Sequence, residues 1–209
     1  MRYTVLSKMI KVALFDADGV VIKKRMAPFS ARYATDFGIS PDVLTEFYKG
    51  DYQLSATGKA DIKEILPKYF SQWGWMKSVD ELLEYWFAAE RETDNEVLSL
   101  VSRLRNKGVR CHLATDNEKY RAADLWENVG LKDHFDRKFV SCELGVKKSD
   151  REFFAKAISE TGIAAGEILF IDDDQKNLDV AGNVGLATML FIDANILRQK
   201  LVSSGIISS

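Results

Sequence analysis

The chain carries only two cysteines in 209 residues, Cys111 and Cys142. Neither sits in a C-x-x-C or other metal-ligand spacing. Each lies inside or beside an apolar segment, so the expectation is a pair of buried free thiols in a reducing compartment. No uninterrupted apolar run approaches the roughly 20 residues that a membrane span needs. The N-terminal stretch MRYTVLSKMIK has neither an apolar signal core nor a small-residue cleavage site. Charge of one sign is also missing: 29 Lys and Arg face 31 Asp and Glu, for a formal net charge of -2, with no block of like charges. The short basic cluster Lys23, Lys24, Arg25 reads as a solvated patch. These absences argue against nucleic-acid and membrane partners. They make a cytoplasmic location the expectation and leave monomer and homodimer equally open.

What is present is a rhythm. Five short apolar runs read as strands: Ile10–Phe15, Val109–Ala114, Lys138–Ser141, Ile168–Ile171 and Ala187–Ile192. They are continuous rather than alternating, the pattern of strands buried on both faces of a parallel sheet. Amphipathic helical patterns separate most of them and stop at Gly108, Gly130, Gly162 and Gly185, as helices do at a C-terminal glycine. Strand, helix, glycine, strand predicts a doubly wound, Rossmann-like α/β fold. One connection breaks the rhythm. Residues 21–93 lack a parallel-strand signal and predict helices around Phe29–Phe37, Pro41–Lys49, Ala60–Phe70 and Val79–Glu92. This segment holds 13 of the chain's 23 aromatics, enough for a small core of its own. The predicted organisation is a catalytic core of residues 9–20 and 94–209, a helical cap of residues 21–93 and a loosely ordered extension of residues 1–8. In open α/β sheets, ligands bind at the carboxyl ends of the strands, so a cap leaving the first strand would sit over that edge as a lid.

Polar residues follow four of the strands. The first ends in DADGV, with Asp16 and Asp18; the next in LATDN, with Thr115 and Asp116. A third leads into SCELGVKKSD, with Lys147 and Lys148, and a fourth ends in LFIDDDQKN, with Asp172, Asp173, Asp174 and Asn177. Singly, each has an ordinary structural reading: a glycine turn, a helix cap, solvated lysines, acids at a helix dipole. Jointly, they place a carboxylate pair, a hydroxyl, a cation and further acids along one edge of a parallel sheet.

In that order the four motifs resemble those of the haloacid dehalogenase-like hydrolases, specifically the phosphatase branch with a helical cap of the C1 type. The resemblance spans about residues 9–20 and 94–192; the cap is similar in position and helical character but hardly in sequence. It implies Asp16 as a nucleophile that forms an aspartyl-phosphate, and Asp18 as general acid and base. Thr115, the backbone amide of Asp116 and Lys148 would hold the phosphate. Mg²⁺ would be bound by Asp16, the backbone carbonyl of Asp18 and Asp173, with Asp172 acting through water and Asn177 positioning the loop. Lys148 is preferred to Lys147 because the family pattern runs Gly-x-x-Lys-Pro-Asp and Gly145 precedes Lys148 by three. Ser149 replaces the usual proline, and Asp116 stands where asparagine or glycine is common.

The implied chemistry suits the residues. A bound cation would keep Asp16 ionised for attack, and a carboxylate pair in a partly dry site can have its two titrations pushed apart. Asp18 also separates this chain from the dehalogenase branch, since a halide leaves without an acid. The expected function is therefore Mg²⁺-dependent hydrolysis of a small phosphorylated metabolite. A phosphomutase using the same Asp16 and Asp18 is the alternative. A non-catalytic phospho-acceptor switch ranks lower, because a receiver domain places its acidic pair before the acceptor aspartate and has no 70-residue insert after its first strand.

Overall fold

The computed structural model of the chain describes residues 9–24 and 28–208; the expected 1–8 extension and Arg25 of the basic cluster lie outside the described residues. Five strands, β1 (Val12–Phe15), β2 (Arg110–Thr115), β3 (Arg137–Val140), β4 (Ile168–Asp172) and β5 (Ala187–Leu190), form one parallel sheet in the order β3-β2-β1-β4-β5. Every residue of β1 and β4 is buried. Alternate side chains enter opposite layers. Ala13 and Phe15 pack with Val97, Val101 and Leu104, while Val12 and Leu14 pack with Phe153, Phe154 and Leu178. Burial on both faces does not extend to the edge: β5 is only partly covered, and β3 starts exposed. The first connection runs from β1 to β2 on one side, whereas β4 returns to the other side of β1. The carboxyl end of β1 is thus the point where the winding reverses, the place where such sheets bind ligands.

Among the described residues the long connection after β1 carries helices at Phe29–Phe37, Asp42–Lys49, Asp51–Ala56, Ile62–Ile65, Phe70–Trp73 and Val79–Ala88 and no strand of the sheet. Two expectations change here. The single helix around 60–70 is broken by a 3₁₀ turn, Leu66–Tyr69, at Pro67, whose ring removes a backbone donor. The helix expected over Val79–Glu92 ends at Ala88, leaving residues 89–94 to return to the core. Phe29, Tyr33, Phe47, Trp73, Trp75, Trp86 and Phe87 form an aromatic cluster separate from both sheet layers. Among the described residues no helix is long and apolar enough to cross a membrane.

Two contacts fix this helical unit over the sheet. At one end its entry and exit strands pair: the Lys23 amide donates to the Glu92 carbonyl and the Asp94 amide to the Val21 carbonyl, both at 2.8 Å. At the other, Ser141 Oγ donates to the Ala56 carbonyl at 2.6 Å, Lys147 Nζ to Gln53 Oε1 at 2.9 Å, and Lys119 Nζ to Asp61 Oδ2 at 2.6 Å. Gly58 permits this approach. Its φ is +68°, and a Cβ there would fall 2.2 Å from the Cys142 carbonyl oxygen. Gly58→Ala is expected to cost about 1–2 kcal/mol from backbone conformation alone, and more from the clash. Urea denaturation checks this, and an unchanged midpoint would mean that the two segments do not meet this closely.

Candidate active site

Three strand ends and one loop converge at the reversal point. β1 delivers Asp16, 6% exposed, whose amide donates to the Ile171 carbonyl at 2.9 Å. Its Oδ1 accepts from the Ala17 amide at 2.8 Å and from Lys148 Nζ at 2.5 Å. β4 delivers Asp172, fully buried. Its Oδ1 accepts from the Asp174 amide at 2.7 Å, and its Oδ2 from Lys148 Nζ at 2.8 Å and Asn177 Nδ2 at 3.2 Å. Asp173 lies against Gly19, where φ is +96° and a Cβ would stand 2.7 Å from Asp173 Oδ2; the same oxygen accepts from Lys24 Nζ at 2.8 Å. Glycine at this turn is therefore what lets the β1 and β4 loops close on each other.

Asp16, Asp172 and Asp173 offer oxygens that all lie within 4.8 Å of one another. Against them stand one buried ammonium, Lys148, and the exposed Lys24. The electrostatics record the shortfall in positive charge. Burial, with Asp172 nearby, pushes the Asp16 carboxyl well above the usual carboxylate range despite the pull of Lys148. Burial works against the charge on Lys148 too, but Asp16, Asp172 and Asp116 outweigh it and hold the ammonium protonated. An all-oxygen, acid-rich set of this kind fits a hard divalent cation. Both Asp172 oxygens already have donors, which leaves Asp16 and Asp173 as the more available direct ligands. The Asp18 carboxylate is outside the cluster, so any share it has in holding a cation falls to its backbone carbonyl.

The Asp18 side chain instead faces the helical unit. Its Oδ2 accepts from Asn117 Nδ2 at 2.8 Å and its Oδ1 from Arg121 Nη2 at 2.8 Å. Asn117 Nδ2 also donates to Thr115 Oγ1 at 2.7 Å, tying the end of β2 to the loop after β1. Arg121, 4% exposed, reaches the Glu90 carbonyl at 2.6 Å and Asp124 Oδ2 at 3.3 Å; Arg91 joins the same Asp124 at 2.5 Å. The guanidinium thus fixes Asp18, the returning linker and a core helix together. Asp116 Oδ1 accepts from the Lys148 amide at 2.9 Å. This gives the unusual acid at 116 a structural role: it pins the loop that presents Lys148. The seryl substitution at 149 sits beside Asp150, which caps the helix Arg151–Thr161 by accepting from the Glu152 amide.

The structure therefore gathers Asp16, Asp18, Thr115, Asp116, Lys148, Asp172, Asp173 and Asn177 at one edge. Asn117 and Arg121 join the site beside these residues. The only signal for them in the sequence is position, two and six residues after Thr115 in the DNEKYR segment. Two cavities flank Asp18. One of about 380 Å³ is lined by Asp18, Phe29, Tyr48, Tyr52, Trp86 and Glu90, among others. The other, of about 400 Å³, is lined by Gly19, Lys23, Lys24 and Asp173, among others. A larger hollow of about 710 Å³ opens near Lys11, Gly108 and Ser204, at the opposite edge of the sheet and away from every one of these groups.

A family model for haloacid dehalogenase-like hydrolases matches residues 10–185. The bifunctional epoxide hydrolase 2 of Sus scrofa is 23% identical over 214 residues, covering 92% of this chain but only 38% of the relative, so the chain spans well under half of that protein. The D-ribitol-5-phosphate phosphatase of Bacteroides thetaiotaomicron is 24% identical, covering 92% of this chain and 97% of its own. Among solved structures, a haloacid dehalogenase family enzyme from the same bacterium, in complex with magnesium and inorganic phosphate, superposes with a TM-score of 0.75. It is 22% identical and covers 87% of this chain and 93% of its own.

Proposed function

The chain belongs to the haloacid dehalogenase-like hydrolases, and from that premise we propose that it is a Mg²⁺-dependent phosphatase of a small phosphorylated metabolite. The observation that carries this reading is the division of labour between two aspartates two residues apart. Asp16 faces the acid cluster and Lys148. Asp18 faces the cavity under the helical unit. The magnesium-bearing relative and the ribitol phosphate phosphatase support the choice of cation and of phosphate ester.

Asp16 is the nucleophile. One oxygen of its carboxylate attacks phosphorus; the donors to that carboxylate among the described residues, the Ala17 amide and Lys148, both fall on Oδ1. A new bond forms between Asp16 and phosphorus while the ester oxygen departs, taking the proton that Asp18 carries. In the second displacement a water gives a proton to Asp18 and its oxygen attacks phosphorus. The bond to Asp16 then breaks, releasing inorganic phosphate and restoring both carboxyl groups. Covalent catalysis of this kind divides one hard step into two.

The charge that spreads over the equatorial oxygens meets the Thr115 hydroxyl, the Asp116 amide and the Lys148 ammonium; fixed donors of this sort supply much of phosphoryl-transfer catalysis. Mg²⁺ held by Asp16 and Asp173, with the Asp18 carbonyl and with Asp172 through water, would neutralise phosphate charge and keep Asp16 ionised. Asn117 and Arg121 hold Asp18 at the cavity mouth, where the leaving oxygen must lie.

Hydrolysis of p-nitrophenyl phosphate tests the reading. Activity is expected to vanish in excess EDTA and to return on adding Mg²⁺. Turnover that survives chelation would contradict the metal requirement.

A further inference from the structure

Asp18 stands at the inner end of a series of charged side chains. The Arg91 guanidinium binds Glu84 with two parallel bonds, Nη1 to Oε1 at 2.7 Å and Nη2 to Oε2 at 2.8 Å. It also reaches Asp124, with Nε at 3.0 Å and Nη2 at 2.5 Å from Oδ1. Asp124 Oδ2 accepts from Arg121 Nη1 at 3.3 Å, and Arg121 Nη2 donates to Asp18 Oδ1 at 2.8 Å. Glu84, Arg91, Asp124, Arg121 and Asp18 thus run from the helix Val79–Ala88, through the returning linker and a core helix, to the acid. Neither Arg91 nor Asp124 is among the residues that line the two cavities beside Asp18.

Local structure aims Asp124 at both arginines. Arg121 lies in the short helix Lys119–Ala123, and Asp124 opens a π-helical turn, Asp124–Asn128, closed by the Val129 amide on the Asp124 carbonyl at 2.9 Å. Such turns are rare and recur at functional sites. Three residues apart, Arg121 and Asp124 share a helix face, and Asn128 Nδ2 donates to Asp124 Oδ1 at 2.9 Å. Burial works against the charge on Asp124, but Arg91, Asn128 and Arg121 outweigh it and hold the carboxyl below its usual range. Buried ion pairs are a poor source of stability, since apolar residues of similar volume often do as well. What a planar guanidinium fork supplies is orientation. Arg121 Nη2 meets both Asp18 and the Glu90 carbonyl, whereas the acceptor of Nη1 among the described residues is Asp124. Without Asp124 the guanidinium would be free to pivot about Nη2.

Resting on the phosphatase reading, we propose that Arg91 and Asp124 are positioning residues for the general acid: they set the orientation of the Arg121 guanidinium and, through it, the alignment of Asp18 with the leaving oxygen. Asn117 holds the other oxygen of Asp18. The carboxyl plane is therefore fixed by two donors, and Arg121 is the one that Arg91 and Asp124 control. A small rotation there is enough to matter, because misplacing a reacting group by about 1 Å can cost about 100-fold in rate.

The test is kcat/KM of the Mg²⁺-loaded enzyme on aryl phosphates of similar shape: phenyl, p-chlorophenyl and p-nitrophenyl phosphate. With an aspartyl-phosphate intermediate, this quantity reports the steps up to release of the phenol. p-Nitrophenolate leaves without an acid, whereas phenolate needs one. Arg91→Met is expected to lower kcat/KM on phenyl phosphate by about tenfold, part of the roughly 100-fold or more that an aligned acid contributes, and on p-nitrophenyl phosphate by about twofold at most. Asp124→Asn, which keeps the shape of the carboxylate, is expected to act in the same direction and serves if Arg91→Met folds poorly. In the Asp18→Asn background neither substitution should lower kcat/KM further, since the group they align is gone. A uniform loss on all three esters, a loss that persists in the Asp18→Asn background, or no change in either variant would overturn the inference while leaving the phosphatase reading intact. No hydrolysis of p-nitrophenyl phosphate by the parent enzyme would overturn that reading and this inference with it.

Discussion

Asp16→Asn is expected to lower kcat on p-nitrophenyl phosphate by about three orders of magnitude or more, the scale seen when a covalent nucleophile is removed, without loosening the fold. The amide keeps the shape of the carboxylate, so the contacts of β1 with β4 survive. What disappears is one buried acid from a cluster short of positive charge. The metal-free variant is therefore expected to be as stable as the parent or more so, the trade of stability for activity common at active sites. The pH dependence follows from the raised carboxyl. Asp16 titrates near 3.8 when unfolded and at about 8 when folded without metal, so in this window the native state binds the proton more tightly than the unfolded chain does. Its contribution to stability is fully present below about pH 3.8 and is lost as the pH rises to about 8. Urea denaturation in EDTA at several pH values should show that decline in the parent and a flatter profile in Asp16→Asn. A variant that retains turnover, or that unfolds at once, would contradict the assignment.

Lys148→Met should act in the opposite sense on stability. Lys148 is 3% exposed and bridges Asp16 and Asp172 at 2.5 and 2.8 Å. Removing one partner of a buried ion pair typically costs about 3–5 kcal/mol, because the other charge is left without compensation. Here the fully buried Asp172 loses the ammonium that faces it, so the metal-free variant should fall within that range. Mg²⁺ is expected to recover part of the loss, since a ligand that binds only the folded state stabilises it. Adding Asp16→Asn to Lys148→Met should also recover part of it, a coupling that a double-mutant cycle reads directly. Equal urea midpoints for parent and Lys148→Met in EDTA would mean that the ammonium does not hold this cluster together.

The parts of this protein that were legible in its sequence are those that depend on local pattern. β1 and β4 are continuous apolar runs because they are covered on both faces, and Gly108, Gly130, Gly162 and Gly185 stop helices with left-handed backbone. The run that holds β5 reads as a strand in the same way but lies at the edge, a fact of sheet order that no local pattern contains. The helix Asp51–Ala56 follows directly on Gly50 with a largely polar sequence, so neither periodicity nor a cap announces it. Among the site residues, those in strand-end motifs were readable because a parallel sheet brings strand ends together. Asn117 and Arg121 were not. They act on Asp18 across 99 and 103 residues, and their role exists only once the segment after β2 has been placed beside the turn after β1. The aromatic wall of the cavity is a similar case. Packing accounts for most of the rings in the helical unit, and only the fold shows which of them line the cavity beside Asp18.

The central claim, a phosphoryl group carried by Asp16, is tested most directly by trapping it. Asp18→Asn removes the base that activates water but not the nucleophile, and p-nitrophenolate leaves without an acid. After brief incubation with p-nitrophenyl phosphate and Mg²⁺, acid quenching and peptide mass spectrometry should find one phosphoryl group on the segment that contains Asp16. Turnover of the ester with no phosphorylated residue, or with the phosphoryl group on a residue other than Asp16, would contradict the account.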